Sequence, residues 1–297
     1  MAPAGRERAE NMRGLVWLAS YPKSGNTWVR AFLHNLLRPG PAAHDINDMN
    51  RLSTTDVAPE WYEKALGKPI AAMSAVEIAQ ARPLVHKLIH DTAEGLILVK
   101  SHSVLGEHLG TPTVSPRHTL AAVYLVRNPL DVAISYAHHL GVTIDAAIAI
   151  MAEEDRMVPA HARGVAQPIG SWSQNVASWT AHPHAGLLTL RYEDLLAKPD
   201  QAFAKLAAFL RADDPRLLPR AIEQSSFGEL QKQEARAGYH ERPQSAQIFF
   251  RQGISGQWRT ELSAAQIGGM IERHKVQMAK FGYLAEAERF LKQRSAP

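Results

Sequence analysis

The sequence predicts an α/β fold: a single domain with a central parallel sheet flanked by helices. Three observations carry that prediction. Four short runs are apolar at consecutive rather than alternate positions, as in strands covered on both faces. Segments with helical spacing of apolar residues lie between those runs. No internal repeat or linker-like composition divides the 297 residues, so one domain accounts for them.

The elements follow in order. Residues 1–14, "MAPAGRERAENMRG", read as a polar tail with no apolar h-region, so no secretory signal is expected. The domain is expected to run over 15–297. Its first strand is "LVWLAS" from Leu15; the next is "LILVK" from Leu96, then "AAVYLVR" from Ala121 and "LLTLRYE" from Leu187. After the first strand, Trp28, Val29, Phe32, Leu33, Leu36 and Leu37 form one helical stripe, which "RPG" stops. "NPLDVAISYAHHL" offers Asn128 as N-cap, Pro129 at the first helical position and Asp131 at the third, and Gly141 ends it. Further helices are expected over 144–153, 172–181, 199–211, 215–224 and 264–281. The stretch 42–84 reads as helical in pieces. Residues 159–172 and 231–258 read as loops, the second long enough to be functional or mobile.

Composition narrows the function. At 45% hydrophobic and 21% charged, the chain can bury a sizeable core and does not resemble a disordered one. With no cysteine, disulfides, thiolate metal sites and cysteine nucleophiles are excluded. No run approaches the roughly 18–20 apolar residues of a membrane span. We therefore expect a soluble, cytoplasmic protein with no membrane partner. A net charge of +4 suits an anionic ligand, but the basic residues are scattered and not interleaved with aromatics, so no nucleic-acid partner is expected.

The turn "YPKSGNTW" joins the first strand to a helix N-terminus, where free backbone N–H groups and the helix dipole favour an anion. Gly25 lets backbone approach that anion; Ser24, Asn26 and Thr27 add donors, and Lys23 adds a compact charge. The bland alternative is a plain βα turn that uses glycine and asparagine for geometry. The turn is not G-x-x-x-x-G-K-[ST], because Lys23 precedes Gly25 and no second glycine is present. A magnesium-dependent triphosphatase or kinase would also want an aspartate ending a second strand. Here "AAVYLVR" ends in Arg127 and "LILVK" in Lys100; "LLTLRYE" ends near Glu193 and Asp194, which weakens that option without closing it. Cations at strand ends favour metal-free chemistry on a nucleotide.

"YPKSGNTW", "KSH", "VRNPLDVAISY", "RYEDL" and "FRQGISGQW" occur in that order, from about Leu15 to Trp258. Together they resemble the cytosolic-type sulfotransferases, which use 3′-phosphoadenosine 5′-phosphosulfate (PAPS). "GSWSQNVASW" is similar to a stretch of bacterial sulfotransferases that decorate small molecules and glycopeptides. The resemblance implies a parallel-sheet domain with a P-loop-like phosphosulfate-binding loop after the first strand. It implies that Lys23, Ser24, Gly25, Asn26 and Thr27 hold the 5′-phosphosulfate end and that Trp28 stacks on adenine. Arg127 and Ser135 would hold the 3′-phosphate, and Tyr192 would touch the base edge. Phe227 would face the adenine from the other side with Ser225 nearby, and Arg251 and Gly253 would close over the 3′-phosphate. Gln252 stands where the family often has lysine, and Asn26 where its loop often has threonine. The animal enzymes' short dimerisation motif is not evident, so monomer and homodimer both stay open.

The expected reaction is in-line transfer of a sulfuryl group from PAPS to a hydroxyl of a small-molecule acceptor, an amine being second choice. The product nucleotide would be 3′-phosphoadenosine 5′-phosphate (PAP). Negative charge grows on the leaving phosphate oxygen, so Lys23 first and Lys100 second are the candidates to stabilise it. The acceptor must lose a proton, and His102 matches the family's K-x-H base. His138 and His139 are alternatives, read as helix-surface or acceptor-pocket residues. No metal is expected, because no H-x-x-x-H or H-E-x-x-H pattern occurs around the histidines weighed. Trp61, Tyr62, Trp172, Trp179, Tyr239, Phe249 and Phe250 are candidates for an apolar acceptor pocket, with core packing the default for any one of them. The segment 231–257 is expected to act as a lid. The rival readings are a magnesium-dependent nucleotide or small-molecule kinase, and a catalytically inactive nucleotide-binding protein.

Overall fold

The computed structural model describes residues 13–92 and 95–294. Of the expected tail, residues 1–12 lie outside the described residues, and Gly14 already belongs to a strand. That strand, β1 (Gly14–Ser20), is buried along its whole length. The others in its sheet are β2 (Ser53–Thr55), β3 (Leu96–Ser101), β4 (Thr119–Val126) and β5 (Leu187–Arg191). Their spatial order is β2-β3-β1-β4-β5, and every pairing is parallel. β2 escaped the sequence reading because "STT" is three residues long and polar, an edge strand with no apolar signature.

Both faces of the sheet carry core, as consecutive apolar residues demand. Leu15, Trp17 and Ala19 join Ala122, Tyr124 and Val126 in one cluster; Val16 and Leu18 join Val123 and Leu125 in the other. The helices are α1 (Asn26–Leu37), α2 (Pro59–Leu66), α3 (Ala75–Asp91), α4 (Pro129–Leu140), α5 (Ile144–Ala152), α6 (Trp172–Thr180), α7 (Tyr192–Ala197), α8 (Pro199–Phe209), α9 (Leu218–Gln224), α10 (Phe227–Ala237), α11 (Trp258–Glu261), α12 (Ala264–Lys280) and α13 (Tyr283–Arg294). α1, α8 and α9 pack on the second cluster; α3, α4, α6, α12 and α13 pack on the first. No single helix among the described residues is long and apolar enough to cross a membrane.

α4 forms as its signals dictate: the Asn128 side chain accepts from Leu130 N at 3.0 Å, Pro129 takes the first position, and Gly141 closes it at φ 69°. The stretch 42–84 resolves into two short 3₁₀ turns, Ile46–Arg51 and Ile70–Ala72, with β2, α2 and most of α3. Two expectations need correction. The loop expected from 231 begins only after α10, at 238. α10 hides from a periodicity reading because two of its buried side chains are polar acceptors. Gln233 accepts from Ile46 N at 2.9 Å, and Glu234 accepts from Phe249 N and Phe250 N, both at 2.8 Å. α13 follows Gly282 where no helix was expected, and it buries only Tyr283 and Ala287.

Candidate active site

The chain leaves β1 toward β2 and β3 on one side and later crosses to β4 and β5 on the other. The carboxyl ends of β1 and β4 therefore flank a topological switch point, where ligands of open α/β sheets bind. A cavity of about 820 Å³ opens there. Lys23, Gly25, Asn26, Thr27, Trp28, Lys100, His102, Arg127, Ser135, Tyr192, Phe227, Arg251, Gln252 and Gly253 all line it.

The N-terminus of α1 is built differently from those of α3, α6 and α12. α3, α6 and α12 start with complete capping boxes, Ser74 with Glu77, Ser171 with Gln174 and Ser263 with Gln266. α1 has a left-handed glycine, Gly25 at φ 98°, with no side-chain cap and no acid in its first turn. Its first N–H groups are left for an anion. The Asn26 side chain is spent inside the loop, donating to Leu18 O at 2.7 Å, so what it can offer a ligand is its backbone N–H. Ser24 is fully buried, and its hydroxyl has no partner among the described residues.

Gly25 is also a packing requirement. A Cβ there would lie 2.7 Å from the Tyr192 ring. Gly253 is the matching case on the far wall: at φ 62°, its Cβ would lie 2.3 Å from Phe227. Gly25→Ala is expected to destabilise the fold by about 2 kcal/mol through overpacking and strain. It should also weaken anion binding at the α1 N-terminus at least about tenfold, since Tyr192 must shift. Thermal melts and calorimetry check both.

Four cations meet at this end. Lys23 sits at φ 67°, its carbonyl accepts from Arg127 Nη1 at 3.0 Å, and its ammonium lies 4.2 Å from the Phe249 ring centroid. Burial, with Arg127 and Lys100 nearby, lowers Lys23 to about 7. Arg127 also donates to Ile254 O at 3.1 Å and stacks 4.3 Å over Tyr192, while its Nε has no partner among the described residues. One guanidinium therefore ties the β1 loop to the 238–257 segment. Asp131 is not its partner: that carboxylate accepts from Gly256 N at 2.7 Å and Trp258 N at 3.2 Å. Arg251 donates to Gln257 Oε1 at 2.8 Å, and Gln252 bonds Gln257 as well.

His102 lies just past β3. Its Nδ1 is 2.7 Å from the Ser20 carbonyl, which can only accept, so Nδ1 carries the proton and Nε2 is left as the basic nitrogen. Burial, with Lys100 adding to it, lowers the imidazole to about 3, so it is neutral at pH 7. Its backbone is clamped: Asn175 Nδ2 donates to the His102 carbonyl at 2.9 Å, and the Gln167 amide oxygen can accept from the His102 N–H at 3.1 Å.

The remaining expectations divide. Ser135 is half-buried on the cavity wall. Ser24 and Ser225 are the exceptions among the cofactor candidates: neither lines the cavity, and Ser225 is fully buried with its hydroxyl donating to Ala221 O at 2.8 Å. A serine inside an apolar helix end bonds back to its own turn, and its place in "SSF" gave no hint of that. His139 lines the cavity and His138 is exposed. Of the seven aromatic acceptor-pocket candidates, Phe249 and Phe250 line the cavity; Tyr62, Trp172, Trp179 and Tyr239 are buried in core, and Trp61 is half-buried off the cavity, its Nε1 donating to Thr54 Oγ1 at 3.0 Å. Sequence reasoning missed Arg30, Glu241, Gln167 and Asn175. Arg30 sits amid the apolar residues of α1 and Glu241 in an aperiodic loop, so neither carried a signal. Among the described residues, no group of three His, Asp or Glu side chains is placed to hold a metal ion.

Fold and cavity together define a class: an α/β protein with an anion cradle after its first strand and a neutral histidine beside it. A family model described as the sulfotransferase domain matches residues 14–282. The chain belongs to the sulfotransferase family. It is 29% identical over 261 residues to sulfotransferase 1B1 of Canis lupus familiaris, covering 84% of this chain and 79% of that protein. Sulfotransferase 1B1 of Mus musculus is 28% identical over 271 residues, with coverage of 88% and 81%. Among solved structures, mouse sulfotransferase SULT7A1 complexed with PAP has a similar fold, with a TM-score of 0.61 at 17% identity over 98% of this chain and 95% of that one. A retinol dehydratase in a complex with retinol and PAP has a TM-score of 0.58 at 20% identity, over 91% and 84%.

Proposed function

We propose that the protein transfers a sulfuryl group from PAPS to a hydroxyl of a small-molecule acceptor, with an amine as second choice. The observation that carries this reading is His102. Its Nδ1 is fixed on the Ser20 carbonyl, and it shares one cavity with Lys23, Lys100 and Arg127. The PAP named in the two similar solved structures supports the choice of donor. The chain fits such a nucleotide. The uncapped α1 N-terminus, the buried unpartnered hydroxyl of Ser24 and the free Nε of Arg127 are unspent donors at one place.

When bound, PAPS would supply an activated sulfuryl group whose departure leaves negative charge on phosphate. Lys23 and the first N–H groups of α1 would hold that end, with Lys100 as the second cation. Arg127, Ser135 and Arg251 would hold the 3′-phosphate, a guanidinium matching it through paired hydrogen bonds. Trp28, Tyr192 and Phe227 would take the base. The Nε2 of His102 would receive the acceptor's proton. Leu140, Val158, Ala162, Pro243 and Phe249 give the rest of the cavity the apolar lining a small acceptor needs. The segment 238–257 forms one wall and would act as the lid.

Calorimetry separates this reading from a kinase. PAP is expected to bind without metal at least about tenfold more tightly than ATP with Mg²⁺, because only PAP offers a 3′-phosphate to Arg127 and Arg251. Clean titration of ATP with Mg²⁺ and no heat from PAP would overturn it. Sulfur-35 transfer from PAPS across phenols, alcohols, sugars and amines then identifies the acceptor; a wild-type protein that binds PAP and sulfates none of them would instead favour the inactive-protein reading.

A further inference from the structure

The cavity holds three carboxylates. Glu60 and Glu63 are exposed at its rim; Glu241 lies deeper, on the 238–257 segment. The two Glu241 oxygens accept from Arg30 Nη1 at 2.8 and 3.0 Å, and one also accepts from Lys100 Nζ at 3.1 Å. Burial pushes Glu241 up, but Lys100 and Arg30 outweigh it and hold the carboxylate below its usual range. Arg30 is fixed. Its side chain is 2% exposed, its Nε donates to Ser53 Oγ at 3.0 Å, and its Nη2 reaches Asn50 Oδ1 at 3.4 Å. Lys100 is a quarter exposed, at 25%, at the end of a strand, on a flexible four-carbon stem. Of the cavity's two lysines, Lys100 has an internal counter-ion. Lys23 has no carboxylate within ion-pair distance among the described residues, only the Phe249 ring.

We propose that Glu241 is a positioning residue for Lys100. Anchored by Arg30, it holds the Lys100 ammonium in the cavity before the donor arrives, then competes with the donor's leaving phosphate for it. The inference rests on the PAPS reading above. Without Glu241, the ammonium would no longer be held in an internal ion pair and would be free to pair with the donor's phosphate. Arg30 remains to neutralise Glu241 when Lys100 changes partner, so the exchange leaves no bare carboxylate. The cost falls on ground-state affinity: phosphate must take the Lys100 ammonium from a carboxylate.

A double-mutant cycle on PAP affinity at pH 7 tests this, using wild type, Glu241→Gln, Lys100→Met and the pair. Glutamine keeps one oxygen for Arg30. Glu241→Gln is expected to bind PAP about threefold to tenfold more tightly than wild type, and to change affinity by less than about twofold when Lys100 is methionine. A merely structural role would move affinity alike in both backgrounds. Weaker or unchanged binding in Glu241→Gln, or the same gain without Lys100, overturns the assignment. If Glu241→Gln does not fold, Arg30→Met/Glu241→Gln removes the buried cation with its partner, and the cycle is run on that pair with the same expectations. Wild type that gives no heat with PAP overturns the donor reading itself; wild type that binds PAP without coupling overturns only the role of Glu241.

Discussion

Replacing His102 by alanine is expected to lower kcat by about 10²–10⁴-fold while PAP affinity stays within about threefold of wild type. The two halves have separate causes. The tautomer of His102 is set: the Ser20 carbonyl at 2.7 Å holds the Nδ1 proton and leaves Nε2 to accept. An imidazole lowered to about 3 is a weak base in equilibrium terms, yet it is fully neutral at pH 7 and needs no prior deprotonation. It makes no hydrogen bond to the β1 loop beyond Ser20, so its loss leaves Lys23, Arg127 and the α1 N-terminus in place. Initial rates and PAP calorimetry on the same preparation measure both halves. Rates near wild type would remove His102 as the base and direct attention to His139, which lines the same cavity and is also lowered to about 3, by burial and Lys23. Equal losses in rate and PAP affinity would make His102 a structural residue.

The sheet was legible because consecutive apolar residues have one good explanation, a strand buried on both faces. "LVWLAS" and "LILVK" fall within β1 and β3. "AAVYLVR" and "LLTLRYE" cover most of β4 and all of β5. The turn after β1 was legible for a related reason: a glycine and an asparagine between an apolar strand and a helical stripe mark a strand-to-helix turn. What stayed hidden were polar side chains used in the interior. Glu234 looks like a solvated residue and is in fact the acceptor for two backbone N–H groups of the cavity wall. Asn175 looks like surface on a short helix. It is fully buried, donating to the His102 and Ile169 carbonyls at 2.9 Å each and accepting from Tyr124 Oη at 2.8 Å. Hydrogen-bond partners far apart in sequence leave no period in it, so such residues are found only once the chain is folded. Arg30 and Glu241, 211 positions apart, are the extreme case.

Lys23→Met is expected to lower kcat by about 10²–10³-fold, the usual loss for one donor aimed at developing charge. The sharper prediction concerns pH. Lys23, lowered to about 7 by burial with Arg127 and Lys100 nearby, is an ammonium below that pH and a neutral amine above it. The ammonium is the form that attracts phosphosulfate. In wild type, kcat/KM for PAPS should therefore fall as pH rises through 7, about tenfold per unit, since kcat/KM reports the free enzyme. A bound anion favours the charged form, so the corresponding fall in kcat should appear at higher pH. His102 and His139, both lowered to about 3, are already neutral and cannot produce a change near 7. Asp56 can interfere: burial raises it to about 6, and it also ionises over this range. Lys23→Arg separates the two. A guanidinium stays charged throughout, so the fall above pH 7 should vanish from that variant even if its plateau is lower. If the fall survives in Lys23→Arg, Asp56 or another group causes it. If wild type shows no fall at all up to pH 9, Lys23 carries an ordinary ammonium, and the crowding of three cations in this cradle does not govern donor capture.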